Sequence, residues 1–198
     1  MNKTLLLLAL IPLMNTLSLG QSVKGIPISI SFCDESIQLP SYRLFGGEFS
    51  PGLQISTRIL QTKNPIHKIG FHLNLGGFYK KNVARTFYIG TDFFYRWQPH
   101  AKFNIEPSIG VSGNFHQFPK TIYTLNNGDP EKVKQGINFN PLPNLGLKIA
   151  YNMRSKEKSP FYIFTQYKWG MELTFSEAIS ELPHSFLSLG VDFTIPKS

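Results

Sequence analysis

Residues 102–115 read KFNIEPSIGVSGNF. In a β-strand alternate side chains point to opposite faces. Phe103, Ile105, Pro107, Ile109, Val111, Gly113 and Phe115 then share one face, and Lys102, Asn104, Glu106, Ser108, Gly110, Ser112 and Asn114 share the other. A soluble sheet and a membrane-spanning barrel both produce this alternation. They differ in which face is inside.

The same parity recurs on both sides of this stretch. In IHKIGFHLNLGGFYK (66–80), Ile69, Phe71, Leu73, Leu75 and Tyr79 oppose Lys68, His72, Asn74 and Lys80; in RTFYIGTDFFYRW (85–97), Phe87, Ile89, Phe93, Tyr95 and Trp97 oppose Thr86, Tyr88, Asp92 and Arg96. PGLQISTRILQ (51–61), LGLKIAYNMR (145–154), the run from Phe161 to Phe175, and HSFLSLGVDFTI (184–195) continue the pattern. With 102–116 this makes seven strands, joined by turn-like links at 62–65, 80–84, 98–101 and 155–159. PISISFCDESIQL (27–39) is a less regular candidate for a first strand, because its alternation falters at Cys33. Counting it gives eight, the even number that a closed antiparallel barrel with both termini at one end requires. Residues 117–141, QFPKTIYTLNNGDPEKVKQGINFNP, are expected to form the one long loop.

Composition bears on which face is inside. The 198 residues include 17 Phe, 8 Tyr and 2 Trp against 4 Met, a bias suited to pleated surfaces. An eight-stranded barrel has an interior just wide enough for side chains or one small ligand, and the rings on the apolar faces would overfill it. The opposite faces carry Gly, Ser, Asn and Thr with single charges of both signs, a set that fits a narrow polar lumen. Turned outward, the aromatics are solvated by lipid. Tyr79, Tyr95, Trp97 and Trp169, near strand ends, would form interfacial girdles.

The first twenty residues, MNKTLLLLALIPLMNTLSLG, read as a secretory signal. Lys3 precedes an apolar run from Thr4 to Met14, and Ser18 and Gly20 suit a signal peptidase cutting before Gln21. The run is too short to span a membrane as a retained helix. An exported barrel of the soluble, lipocalin-like kind would usually carry disulfides, and Cys33 is the sole cysteine. The formal net charge of +8, or +7 without Lys3, is spread along the chain with no stripe suited to nucleic acid.

PGLQISTRILQ, the alternating strands of 66–116, and the closing SPFYIFTQYKW and LPHSFLSLGVDFTI resemble small outer-membrane barrels of diderm bacteria, the OmpA/OmpX-like family, over most of residues 27–195. The resemblance implies a monomeric all-β, antiparallel eight-stranded transmembrane barrel in the outer membrane. It also implies contact with outer-membrane lipids, lipopolysaccharide and the barrel assembly machinery, and no cofactor. Members often finish on an aromatic residue, whereas Pro196, Lys197 and Ser198 follow here, so Phe193 and Ile195 would have to serve as the recognised end.

Inward charges are expected at Arg58, Lys68, Asp92, Arg96, Lys102, Glu106, Lys148, Arg154, Lys168 and Asp192. They are expected to pair across strands and plug the lumen, since an unpaired buried charge is costly, with Glu106 meeting Arg96 or Lys102. The expected role is structural or one of surface recognition, with Lys120, Lys132 and Lys134 of the long loop as contacts. Two alternatives are a lipid A deacylase-like barrel enzyme and a soluble lipocalin-like binder. For the enzyme, parity sends His184 and Ser185 to opposite faces; His184 and Ser188 share one, without a third member nearby. His67, His72, His100 and His116 form no convergent metal set. Gly46-Gly47 and Gly76-Gly77 read as bends or close packing.

Overall fold

A computed structural model describes residues 25–37, 50–62, 64, 66–80, 84–117, 123–126, 129–132, 137–153, 161–173 and 181–196. The signal sequence, Gly46-Gly47, Lys120, Lys134 and Arg154 lie outside them, as do the side chains of residues 123–132.

Eight strands close into a barrel: β1 (Ile26–Ser36), β2 (Pro51–Gln61), β3 (His67–Lys80), β4 (Ala84–His100), β5 (Phe103–Gln117), β8 (Asn138–Asn152), β9 (Tyr162–Leu173) and β10 (Glu181–Ile195). Each wall strand pairs antiparallel with the next, and β1 pairs with β10 to seal the sheet. Between β5 and β8, a separate two-stranded sheet is formed by β6 (Tyr123–Asn126) and β7 (Asp129–Lys132). Closure joins every wall strand to a neighbour on both sides, so most of the ladder is satisfied within the wall. The shortest wall strands have 11 residues and β4 has 17, and about 9–11 suffice for a tilted strand to cross a bilayer.

Of the segment 27–39, residues up to Ser36 lie in a strand, β1, whose alternation does not break at Cys33, and 38–39 fall outside the described residues. Cys33 is buried on the lumen side in step with Ser29, Ser31 and Glu35, where a small side chain fits. The long loop is shorter than the sequence suggests. Asn138–Pro141 belong to the wall, because Asn138 pairs with His116 and Asn140 with Asn114. Pro141 and Pro143 disguise this stretch as a loop, yet pairing of β8 with β9 begins only at Asn144. Above that point, among the described residues, β8 is paired on its β5 side alone, an edge-like setting that tolerates proline.

At Pro107, which cannot donate to the ladder, the pairing with β4 has a gap without a bulge. Pairing between β4 and β5 passes from Phe94↔Ser108 to Trp97↔Ile105 in one register, and the register shift lies further on, between Trp97 and His100. Of the glycine pairs, Gly76 shows close packing: a Cβ there would collide with the Tyr88 ring. Gly76→Val is expected to displace that ring and cost about 1–3 kcal/mol, the usual penalty of overpacking. Urea unfolding of the refolded variant in micelles measures it.

Candidate functional site

The barrel is apolar outside and polar inside. Ile109 is 58% exposed, Leu189 65% and Leu53 53%, while the fully buried side chains include Arg96, Glu35, Glu106, Glu172, Asp92 and Asp192. Three threonines on the outer face bond back to the backbone. Thr57 Oγ1 donates to the Pro27 carbonyl at 2.8 Å, Thr91 Oγ1 to His72 at 3.0 Å and Thr165 Oγ1 to Ser188 at 3.3 Å. Such bonds let a hydroxyl sit in an apolar solvent at little cost. Tyr79, Tyr95 and Trp97 are exposed on this face and Trp169 half-buried; Tyr79 and Trp169 stand near one rim, Tyr95 and Trp97 near the other.

Parity alone generates the lumen. On β10, for example, His184, Phe186, Ser188 and Asp192 project inward in descending order toward the end that carries the chain termini. Together the strands stack four tiers of side chains.

The tier nearest the termini is ionic. Glu106 accepts from Arg96 Nε at 2.6 Å, lies 2.5 Å from Arg96 Nη2, and meets His72 Nε2 at 2.9 Å. Asp192 accepts two bonds from Lys148 Nζ, at 2.9 and 2.7 Å, and lies 3.9 Å from Arg96 Nη2. Lys148 Nζ also sits 3.8 Å above the Phe164 ring. In the next tier Asp92 accepts from Lys168 at 2.5 Å and from Asn74 at 2.8 Å. Gln54 bridges Ser56 to Tyr88, donating at 2.9 Å and accepting at 2.9 Å.

Above these lies an apolar collar of Phe78, Tyr88, Leu142 and Phe186. A cavity of about 20 Å³, room for about one water molecule, lies between the collar and Lys168, lined also by Gln54, Ser112 and Asn144.

The fourth tier, at the loop end, is a chain of carboxylates and imidazoles. Glu35 Oε1 is 2.8 Å from His184 Nδ1, and His184 Nε2 is 2.9 Å from Glu172 Oε2. Glu172 Oε1 is 2.7 Å from His116 Nε2, whose other ring nitrogen is 2.8 Å from Thr86 Oγ1. Asn114 and Asn140 donate to Glu172 at 2.9 and 2.5 Å, and Lys80 donates to Glu35 at 3.3 Å. The chain draws on β1, β3, β4, β5, β8, β9 and β10, nearly the whole circumference.

Of the expected inward charges, Asp92, Arg96, Glu106, Lys148, Lys168 and Asp192 are buried in this stack. Arg58 and Lys68 are half-buried near the terminus end. Lys102 is not among them: it is exposed in the turn joining β4 to β5, whose tight geometry ends the strand before its side chain can enter the lumen. Glu106 is held by Arg96 instead. Sequence reading passed over Glu35, Glu172, His72, His116 and His184 as partners, although parity already puts Glu172 on the face of Lys168 and Glu35 on that of Ser31. His184 and Ser188 do share the lumen face, but four residues of strand separate them by ~13 Å. His184 is occupied by two carboxylates, so this pair makes no nucleophile and base. Among the described residues no group of three or more His, Cys, Asp or Glu is arranged to hold a metal ion.

Comparison with solved structures bears out the architecture. Neisserial surface protein A matches over 86% of this chain and 96% of its own, at 10% identity and a TM-score of 0.53. The fold is that of a small outer-membrane β-barrel. Ail of Yersinia pestis matches over 87% of this chain and 100% of its own, at 12% identity and a TM-score of 0.49. The N-terminal barrel domain of OprF from Pseudomonas aeruginosa covers 85% and 97%, at 14% identity and a TM-score of 0.49. No protein-family model and no curated protein matches the chain.

Proposed function

We propose that the protein resides in the outer membrane as a monomeric barrel with a shut lumen, and that its role is structural or one of surface recognition. The observation that carries this reading is the inverted polarity: an apolar wall around four interlocking tiers. Hydrocarbon solvates such a wall, whereas water would not. Buried ion pairs cross the lumen among the described residues, and moving a solute through would require separating them.

The β2–β3 and β4–β5 turns share the end of the barrel with the chain termini, the side that faces the periplasm in barrels of this kind. The 118–137 connection then faces outward. Lys120, Lys132 and Lys134 there suit contacts with lipopolysaccharide phosphates or another anionic surface. Insertion would pass through the barrel assembly machinery.

Deleting residues 120–136 should leave a folded barrel, since β6 and β7 make no ladder with the wall. Heat-dependent migration on a detergent gel checks this: the shift between unboiled and boiled samples should persist, with only surface binding altered. Liposomes containing the intact protein should hold a sugar-sized solute as well as protein-free ones. Rapid efflux would contradict the closed lumen.

A further inference from the structure

Among the described residues of the tier nearest the termini, four cations (Arg58, Lys68, Arg96 and Lys148) stand against two carboxylates (Glu106 and Asp192). Glu106 is taken by Arg96 and His72, and Asp192 by Lys148 with Arg96 close by. Among the described residues Arg58 and Lys68 are left over, with no carboxylate at ion-pair distance. Arg58 donates to the neutral Gln61 side chain at 3.1 Å, and it lies within electrostatic range of Arg96, Asp192 and Glu106. Lys68 is directly opposite Arg96 in the β3–β4 ladder, a like-charge pairing that works against the sheet.

A third group nearby is also unsatisfied. Asn104 follows Glu106 on the lumen face of β5, one step nearer the termini, and is 1% exposed. Among the described residues neither its amide nitrogen nor its amide oxygen has a hydrogen-bond partner. Buried polar groups rarely go unpaired, so a donor amide and two surplus cations at one end of a lumen together suit an anion. Both cations are half-buried, hence reachable from the terminus end. The collar and the carboxylate–imidazole chain lie beyond it, so this end of the lumen is a dead end.

We propose that the terminus end of the lumen binds a phosphate monoester, through Arg58 and Lys68 with Asn104 donating a hydrogen bond. Two surplus positive charges match a dianion, and a phosphate monoester is close to one near neutral pH. Arg58 offers a planar fork of donors to phosphate oxygens and Lys68 a point charge. The phosphate could be free in solution or part of a lipid headgroup, since the chemistry recognised is the same.

The test uses the full barrel, folded in zwitterionic micelles and verified by its gel shift. Calorimetric titration with glycerol 3-phosphate is one arm, and phosphatidic acid doped into the micelles is the other. Saturable binding is expected in at least one arm, with at least a tenfold loss in the Arg58→Gln/Lys68→Gln double variant. Lys102→Gln, which removes an exposed cation at the same end, should bind as the parent does. Binding in the lipid arm alone assigns the site to a headgroup; binding in both assigns it to phosphate as such. Lys68→Gln alone, at a half-buried position opposite a like charge, should fold at least as well as the parent and still weaken binding severalfold. Absence of saturable binding in both arms, or an equal loss with Lys102→Gln, overturns the proposal.

Discussion

Replacing Glu106 by Ala is expected to destabilise the folded barrel by about 3–5 kcal/mol, the cost of stranding a buried charge. Arg96 is 1% exposed and would keep only Asp192, 3.9 Å away and already held by Lys148. His72 would lose its partner at the same time. The double variant Arg96→Met/Glu106→Leu should recover most of that loss, because a well-packed apolar pair avoids the desolvation penalty of both ions. Denaturant unfolding of the four proteins in a double-mutant cycle measures the coupling. A single-variant cost below about 1 kcal/mol would mean that water reaches Arg96 and that the tier is not packed.

The second large effect belongs to the wall. Ile109 lies near the middle of β5, faces outward opposite Phe93 and Leu145, and is 58% exposed. In a lipid bilayer Ile109→Arg should cost about 2–4 kcal/mol, whereas Tyr79→Arg, near the rim, should cost about 0–1 kcal/mol. In a water-soluble barrel both would fall within about 0.5 kcal/mol, as exposed substitutions usually do. Reversible unfolding from vesicles therefore reads the solvent of the outer wall from the difference between two arginines.

The strands and their faces were legible because a period of two is a property of each strand by itself. KFNIEPSIGVSGNF alone places Asn104 and Glu106 on the face opposite Ile109 and Val111, and the structure keeps that division. What is not local was not legible. Glu35 and His184 are 149 residues apart and meet only because β1 closes the sheet against β10. Parity could have put both on the lumen face, but the choice of partner depends on register and tilt, which no single strand encodes. Lys102 failed for the opposite reason: alternation does not extend back past Phe103, the first residue of β5, into the turn where Lys102 sits. The prolines of β8 misled in the same way, since Pro141 and Pro143 look like loop residues until their edge-like place in the wall is known.

The claim on which all of this rests is that the apolar face looks at lipid and the polar face at a packed lumen. Nitroxide labels placed in turn at Ile109, Val111 and Leu189, and at Ser112 on the lumen face, test it in the protein reconstituted in phospholipid vesicles. The three outer positions should relax with dissolved oxygen and be shielded from a water-soluble nickel chelate, while Ser112 should be shielded from both. Strong relaxation by the nickel chelate at Ile109, Val111 and Leu189 would put that face in water and contradict the account.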